Sequence, residues 1–433
     1  MKTHIRTAVL AACVSGAIAA GAAAPRDSAD EAFRKFWDAK NPQEATKAAD
    51  RVAKSGVSFD SALERLKAGR PYATDAPVGA VKGSRRTPDG EFNYVVHVPS
   101  NYDPKRRYQV RVFLHGGVMR PDPTPRGNGA IPLEGADQIY VLPSGWLDAP
   151  WWNDLQIDNV EAILDSVKRT YNVDENRVAL SGVSDGATGL YYLAMRDTTP
   201  FASFLPLNGY LMVLTSTELH LPADLFPNNL VNKPLFIVNG GRDPLYPIRV
   251  VEPYVRHLQS HGVQIQYVPQ PEAGHNTQWW PTVKDTFEAF VREHPRVPLP
   301  QTLTWESAEL QKSGRAHWLI IDKLGSREKN DTPLPDANQA SSGVLFKHER
   351  RSGRVDLVRT GNVVDAATRG VSEFTLLLSP DAFDFSHPVR VVVNGREAFN
   401  GAVEKSVATL LKWAAHDNDR TMLFGAELKI KVP

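Results

Sequence analysis

The stretch Val178-Ala179-Leu180-Ser181-Gly182-Val183-Ser184-Asp185-Gly186 decides the fold of this 433-residue chain. A short apolar run feeds straight into a Gly-x-Ser-x-Gly turn, and the run from Ala187 to Met195 reads as a helix. Strand, sharp turn and helix together are the setting in which this motif lifts a serine hydroxyl above the end of a sheet strand. Such a turn holds the serine in a strained conformation, so glycines are needed close by, where a Cβ would strike neighbouring main chain.

Working outward, Tyr108 to Leu114 alternates like a strand and ends in His115-Gly116-Gly117. Downstream, Pro234 to Val238 reads as a buried strand running into Asn239-Gly240-Gly241-Arg242-Asp243-Pro244, a turn with a carboxylate at its tip. Val263 to Val268 is a further strand, followed by Glu272-Ala273-Gly274-His275. Ser184, Asp243 and His275 thus each fall in a loop after a predicted strand. In a parallel sheet those loops gather at one edge, where ligands bind.

These residues resemble the α/β-hydrolase superfamily, in particular secreted bacterial esterases and prolyl-oligopeptidase-like serine hydrolases. The resemblance covers roughly Glu91 to His294 and rests on HGG, GVSDG, NGGRD and AGH. It implies Ser184 as nucleophile, Asp243 as orienting acid and His275 as base, with the backbone N–H groups of Gly117 and Asp185 forming an oxyanion hole. The physical roles follow from the residue types as well. A serine hydroxyl is a weak nucleophile until a base takes its proton, and a carboxylate holds the imidazole in the required tautomer. Asp224 and Glu252 are the other acids near enough in sequence, but one precedes its strand and the other lies within the next helix. His115 belongs to the oxyanion turn and reads as structural. His257 and His261 sit on a helix whose apolar face is Ile248, Val251, Val255 and Leu258, and read as solvated.

Composition narrows the setting. The formal charge of +1 offers no electrostatic case for nucleic acid. Residues 1–24 read as a signal peptide, with a basic start (Lys2, His4, Arg6), an alanine-rich apolar run and small residues near Ala20-Gly21-Ala22. The expected localisation is therefore exported, periplasmic or extracellular, without a membrane span. Leu10-Ala11-Ala12-Cys13 is a competing lipobox reading that would anchor the chain through Cys13. Cys13 is the single cysteine, so neither a disulfide within the chain nor a cysteine-ligated metal is available. No cofactor and no metal site is expected, and no EF-hand loop or H-E-x-x-H motif occurs.

The predicted organisation has four parts: the signal peptide, a helical N-terminal segment over 25–75, an α/β-hydrolase catalytic domain over 76–296, and a C-terminal β-rich accessory domain over 301–433. The fold class is α/β, with a mostly parallel sheet and helices on both faces, preceded by the helical segment and followed by a β-sandwich-like region. The helical segment is expected to pack on the catalytic domain, Tyr72 to Gly90 to be a turn-rich connection, Phe92 to Val98 to be the edge strand, and Thr215 to Asn229 to form a short lid. Three aromatic clusters fall in loops expected to ring the site: Trp146 with Trp151 and Trp152, Tyr210 with Met212, and Trp279 with Trp280. They are candidate substrate contacts. The first functional reading is hydrolysis of a small or polymeric carboxylic ester through an acyl-enzyme. A serine peptidase of the exopeptidase kind is the second, and a non-catalytic polymer-binding protein on the same scaffold the third.

Overall fold

The computed structural model describes residues 28–121, 130–326, 339–340, 343–344, 346 and 350–433. The signal-peptide reading and the Cys13 alternative lie outside these residues. The chain begins with three short helices, α1 (Ala29–Trp37), α2 (Pro42–Lys54) and α3 (Phe59–Ala68). Each starts where a polar side chain can satisfy an orphan N–H of the first turn: Ser28 accepts from Glu31 N, Asn41 from Glu44 N and Ser58 from Ser61 N.

The central sheet then follows. Its elements in chain order are β1 (Gly79–Thr87), β2 (Gly90–Val98), β3 (Tyr108–Leu114), β4 (Ile139–Pro143), α4 (Asp154–Thr170), β5 (Val173–Val183) and α5 (Asp185–Arg196). After them come β6 (Ser203–Leu207), β7 (Leu235–Ile237), α6 (Ile248–Ser260), β8 (Ile265–Tyr267) and α7 (Trp280–Glu293). The strand order is β1-β2-β4-β3-β5-β6-β7-β8. β2 runs antiparallel to both its neighbours, and every pair from β4 to β8 is parallel. Alternation splits the buried side chains between two faces. Val178, Leu180, Phe204 and Ile237 join a core with α4, α5 and α6, whereas Ala179, Leu205, Leu207 and Phe236 pack with Val283, Phe287 and Phe290 of α7. The chain leaves β3 for β4 on one side and returns to β5 on the other, so the topological switch lies between β3 and β5.

One expectation fails here. Tyr72 to Gly90 is not merely a connection, because β1 pairs along its whole length with β2 and occupies the sheet edge in its place. Lys82, Ser84, Arg85 and Arg86 give β1 no apolar alternation, since it is an edge strand whose residues are exposed or half-buried throughout. The segment read as a lid is a series of short 3-10 turns, Leu211–Thr215, Thr217–Leu219 and Pro227–Asn232.

The C-terminal region comprises β9 (Thr302–Ser307), α8 (Leu310–Ser313), β10 (Arg315–Ala316), β11 (Leu319–Leu324), β12 (Gln339–Ala340), β13 (Gly343–Val344), β14 (Gly353–Thr360) and β15 (Val363–Arg369). It continues with β16 (Val371–Leu378), β17 (Val389–Val393), β18 (Arg396–Gly401), α9 (Val407–Asp417) and β19 (Ala426–Lys431). A five-stranded sheet, β18-β17-β15-β14-β9, and a four-stranded one, β10-β11-β16-β19, share a core. Trp305, Leu357, Val364 and Val391 come from the first sheet; Leu319, Phe374, Leu376 and Leu428 come from the second.

The N-terminal helices also depart from expectation. Their principal partner is α9 rather than the catalytic region: Phe33, Phe36, Ala45, Ala49, Val52 and Leu66 are buried with Leu410, Leu411, Ala414 and Ala415. Polar ties also reach α4: Arg169 Nη1 donates to Ala39 O at 3.0 Å, and Tyr72 OH, just beyond α3, donates to Lys168 O at 3.3 Å. The periodic apolar stripe on α1–α3 announces that a partner exists but does not say which element supplies it. Leu411→Ala should therefore destabilise the chain by about 2–5 kcal/mol in urea denaturation, as expected for truncating a fully buried leucine. Asp60→Ala, which breaks the exposed Lys405–Asp60 pair at the same junction, should cost less than about 1 kcal/mol.

Candidate active site

Ser184 sits at the end of β5 with φ 56° and ψ −119°, a region that non-glycine residues avoid. The neighbouring structure over-determines this conformation. Ser184 N donates to Leu207 O on β6 at 3.0 Å, and Ser184 O accepts from Ala187 N and Thr188 N at 2.8 and 3.1 Å. Gly182 and Gly186 then permit an approach that no other residue allows. A Cβ on Gly182 would overlap the Gly186 carbonyl, and one on Gly186 would overlap the Leu114 carbonyl at the end of β3. The turn is consequently pressed between two strands, with α5 starting at Asp185.

His275 follows β8 and reaches both partners. Its Nε2 lies 2.9 Å from Ser184 Oγ and its Nδ1 2.7 Å from Asp243 Oδ2. Asp243 follows β7, and its other oxygen accepts the N–H groups of Leu245 and Tyr246 at 2.8 and 3.0 Å. The Asp243 side chain is fully buried, while that of His275 keeps 22% of its surface exposed. A buried carboxylate that accepts from two backbone donors and faces Nδ1 suits the Nδ1–H tautomer, which leaves Nε2 free to receive a proton. The acid turn and the histidine loop are clamped together: Gly241 N donates to Gln270 O at 2.8 Å and Arg242 N to Ala273 O at 2.9 Å. Neither alternative acid competes, because Asp224 accepts from Arg350 N at 2.8 Å and Glu252 pairs with Arg256 at 2.9 Å.

The turn after β3 closes the other side. A Cβ on Gly116 would stand 3.1 Å from Ser184 Cβ, so the HGG backbone lies directly against the serine. Gly117 has φ 67°, and Asp185 is the first residue of α5, whose N–H has no acceptor within its own helix. His115 is structural. Its Nδ1 faces Gly116 O at 3.0 Å, its Nε2 accepts from Gly145 N at 3.1 Å, and its carbonyl accepts from Trp151 Nε1 at 2.8 Å.

Most of the aromatic residues expected to contact substrate are instead packed inside. Trp151 and Trp152 belong to the main core, and a Cβ on Gly189 of α5 would overlap the Trp151 side chain. Trp146 packs on Phe92 at 5.1 Å, and Trp279 is buried with the α7 face of the sheet. Loops around a site need apolar anchors of their own, and the tryptophans serve that purpose. Tyr210 and Met212 are half-buried on the main core, and Trp280 donates to Glu134 O at 3.1 Å. Tyr210 approaches His275 through Tyr246: the two tyrosine rings lie 6.2 Å apart, and Tyr246 meets the His275 ring edge-on at 5.7 Å. The Tyr246 phenol is pushed up by burial and by the carboxylates of Asp185 and Asp243.

Sequence reasoning missed two supports. Asn208, fully buried with φ 46°, donates from Nδ2 to Asn276 O at 2.8 Å and so holds the residue after His275. The Asn208-Gly209 pair at the end of a strand was its signal. Tyr246 carried no such mark. Among the described residues, no group of three or more His, Cys, Asp or Glu side chains is placed to hold a metal ion, and no helix is long and apolar enough to cross a membrane.

No protein-family model matches the chain. A curated protein, the bifunctional acetylxylan esterase/xylanase of Neocallimastix patriciarum, is 28% identical over 172 residues, 38% of this chain and 23% of that protein. The chain thus spans less than a quarter of that relative's length. Among solved structures, a thermostable esterase aligns at 21% identity with TM-score 0.39, covering 50% of this chain and 63% of that one. Thermogutta terrifontis esterase 2 aligns at 14% identity and TM-score 0.39, covering 50% of this chain and 94% of that one. Pyrococcus horikoshii acylaminoacyl peptidase aligns at 13% and 0.37, covering 50% and 42%.

The elbow's close contacts predict that Gly186→Ala cannot be accommodated without moving β3 or α5. It should yield misfolded protein or lower the urea midpoint of unfolding, as read by circular dichroism. With its strand order, its glycine-bounded elbow, and an acid and a histidine on the loops after β7 and β8, the chain has the α/β-hydrolase fold.

Proposed function

We propose that the protein is an exported serine hydrolase that cleaves carboxylic esters with Ser184 as nucleophile, His275 as general base and acid, and Asp243 as the orienting carboxylate. The observation that carries this reading is the continuous pair of hydrogen-bond distances, 2.9 Å from Ser184 Oγ to His275 Nε2 and 2.7 Å from Nδ1 to Asp243 Oδ2. Ser184 Oγ attacks the ester carbonyl carbon while His275 Nε2 takes the hydroxyl proton. The carbonyl oxygen becomes an oxyanion facing the N–H groups of Gly117 and Asp185. Collapse breaks the bond to the alkoxy group, which leaves with the proton from His275, and the acyl group stays on Ser184. Water, deprotonated by the same imidazole, attacks the acyl-enzyme, and its collapse releases the acid and restores Ser184.

The similarity to an acetylxylan esterase supports an ester over an amide and makes acetyl esters carried on sugars the first substrates to try. The basic and alanine-rich start of the chain supports export with cleavage near Ala20-Gly21-Ala22. A fluorophosphonate should add once to the wild-type protein and not to Ser184→Ala, by intact mass. Asp243→Asn should keep the fold but lower kcat about 10⁴-fold, since it presents the wrong partner to Nδ1. With matched acyl groups, turnover of 4-nitrophenyl esters should exceed that of 4-nitroanilides; the reverse order would select the peptidase reading.

A further inference from the structure

The Asp185 side chain does something that its backbone role does not require. Asp185 is the first residue of α5, where a carboxylate ordinarily finds the free N–H groups of its own helix. Instead, Asp185 Oδ2 accepts the N–H of Val118 at 2.9 Å, from a loop 67 residues earlier in the chain. Ser184, the residue in the cap position, makes no side-chain capping bond, so the helix start gives up its usual polar partner. Val118 is itself fully buried in the main core. The HGG turn is therefore fastened at two points: at His115, through Gly145 N and Trp151 Nε1, and at Val118, through Asp185. Gly117, at φ 67° and without a side chain to anchor it, lies between them.

We propose that the Asp185 carboxylate is the positioning residue of the oxyanion site, fixing the Gly117 N–H relative to the Asp185 N–H by tying their two loops together. The inference rests on the reading of Ser184 as nucleophile. One residue would then supply one oxyanion donor from its backbone and hold the other with its side chain. What matters is an acceptor within reach of Val118 N–H, not the negative charge. A charge this close to a developing oxyanion opposes it electrostatically, so an amide in its place should serve at least as well.

The test compares full-length wild type, Asp185→Asn, Asp185→Ala and Asp185→Ser. The readouts are kcat and KM on 4-nitrophenyl acetate and the inhibition constant of a trifluoromethyl ketone. In that adduct Ser184 Oγ bonds to the carbonyl carbon, its proton passes to His275, and the ketone oxygen becomes the oxyanion. Ala and Ser, whose side chains cannot reach Val118, should lose kcat and ketone affinity by the same factor, about 10- to 100-fold, with KM little changed. Asn, which keeps a carbonyl oxygen at the same reach, should return both to within about threefold of wild type. If Ala fails to fold, Ser and Asn still decide. Ketone affinity unchanged in Ala or Ser, or Asn as impaired as Ser, overturns the proposal. Failure of wild-type Ser184 to take up a fluorophosphonate would instead overturn the hydrolase reading beneath it.

Discussion

The site depends on a main-chain contact that only glycine allows. Gly182 and Gly186 bring the end of β5, the start of α5 and the end of β3 closer together than any Cβ would permit. Everything placed around Ser184 inherits its position from that contact. The serine backbone stays at φ 56° because the bonds from Leu207, Ala187 and Thr188 leave it no relaxed alternative. The HGG turn can lie against the serine because it follows the strand that the elbow presses on. His275 and Asp243 arrive from the other side, on loops clamped to each other and held by Asn208. No single loop carries the site; its rigidity comes from the ends of four strands, β3, β5, β7 and β8, sharing one edge of the sheet.

The tryptophans show how that edge is kept stiff. Loops are usually the mobile parts of a fold, and the strands that lead to Asp243 and His275 are short: β7 and β8 are three residues each. Burying Trp151 beneath Gly189 and Trp279 against the α7 face turns neighbouring loops into parts of the core. Beyond the sheet, the C-terminal region is fastened by polar bonds rather than by apolar packing alone. Asn229 exchanges hydrogen bonds with Glu306 on β9, Arg296 meets Asp419 at 2.6 Å with both nearly fully buried, and Arg420 meets Glu175 at 2.6 Å. Buried charge pairs of this kind are costly to leave half-made, so they favour one docked arrangement over near alternatives.

What the sequence revealed follows from the physics of each part. The elbow, the Asp243 turn and the His275 loop were legible because each is a local pattern: a strand, then glycine, then one polar side chain. The parallel sheet was legible from apolar strands alternating with an amphipathic helix such as α4. The edge strand β1 was not, because an exposed, charged strand has no apolar period to read. The tryptophans misled because composition records that a ring is apolar, not which side of a loop it faces. The union of α1–α3 with α9 was hidden for a related reason, since a helical stripe specifies a need for burial and never its partner. The bond from Val118 N–H to the Asp185 side chain escaped because it spans 67 residues and leaves no local pattern in the sequence.

That union joins segments far apart in sequence: Lys405 reaches Asp60 across 345 positions. During synthesis at about 5–20 residues per second, the first helices must therefore wait on the order of tens of seconds before their partner exists. For that interval the apolar stripe lacks the cover that Leu410, Leu411, Ala414 and Ala415 give it, and the completed bundle becomes a late event. A break near Asp60 and a break near Lys405 would then injure the same module, although 345 positions of sequence separate them.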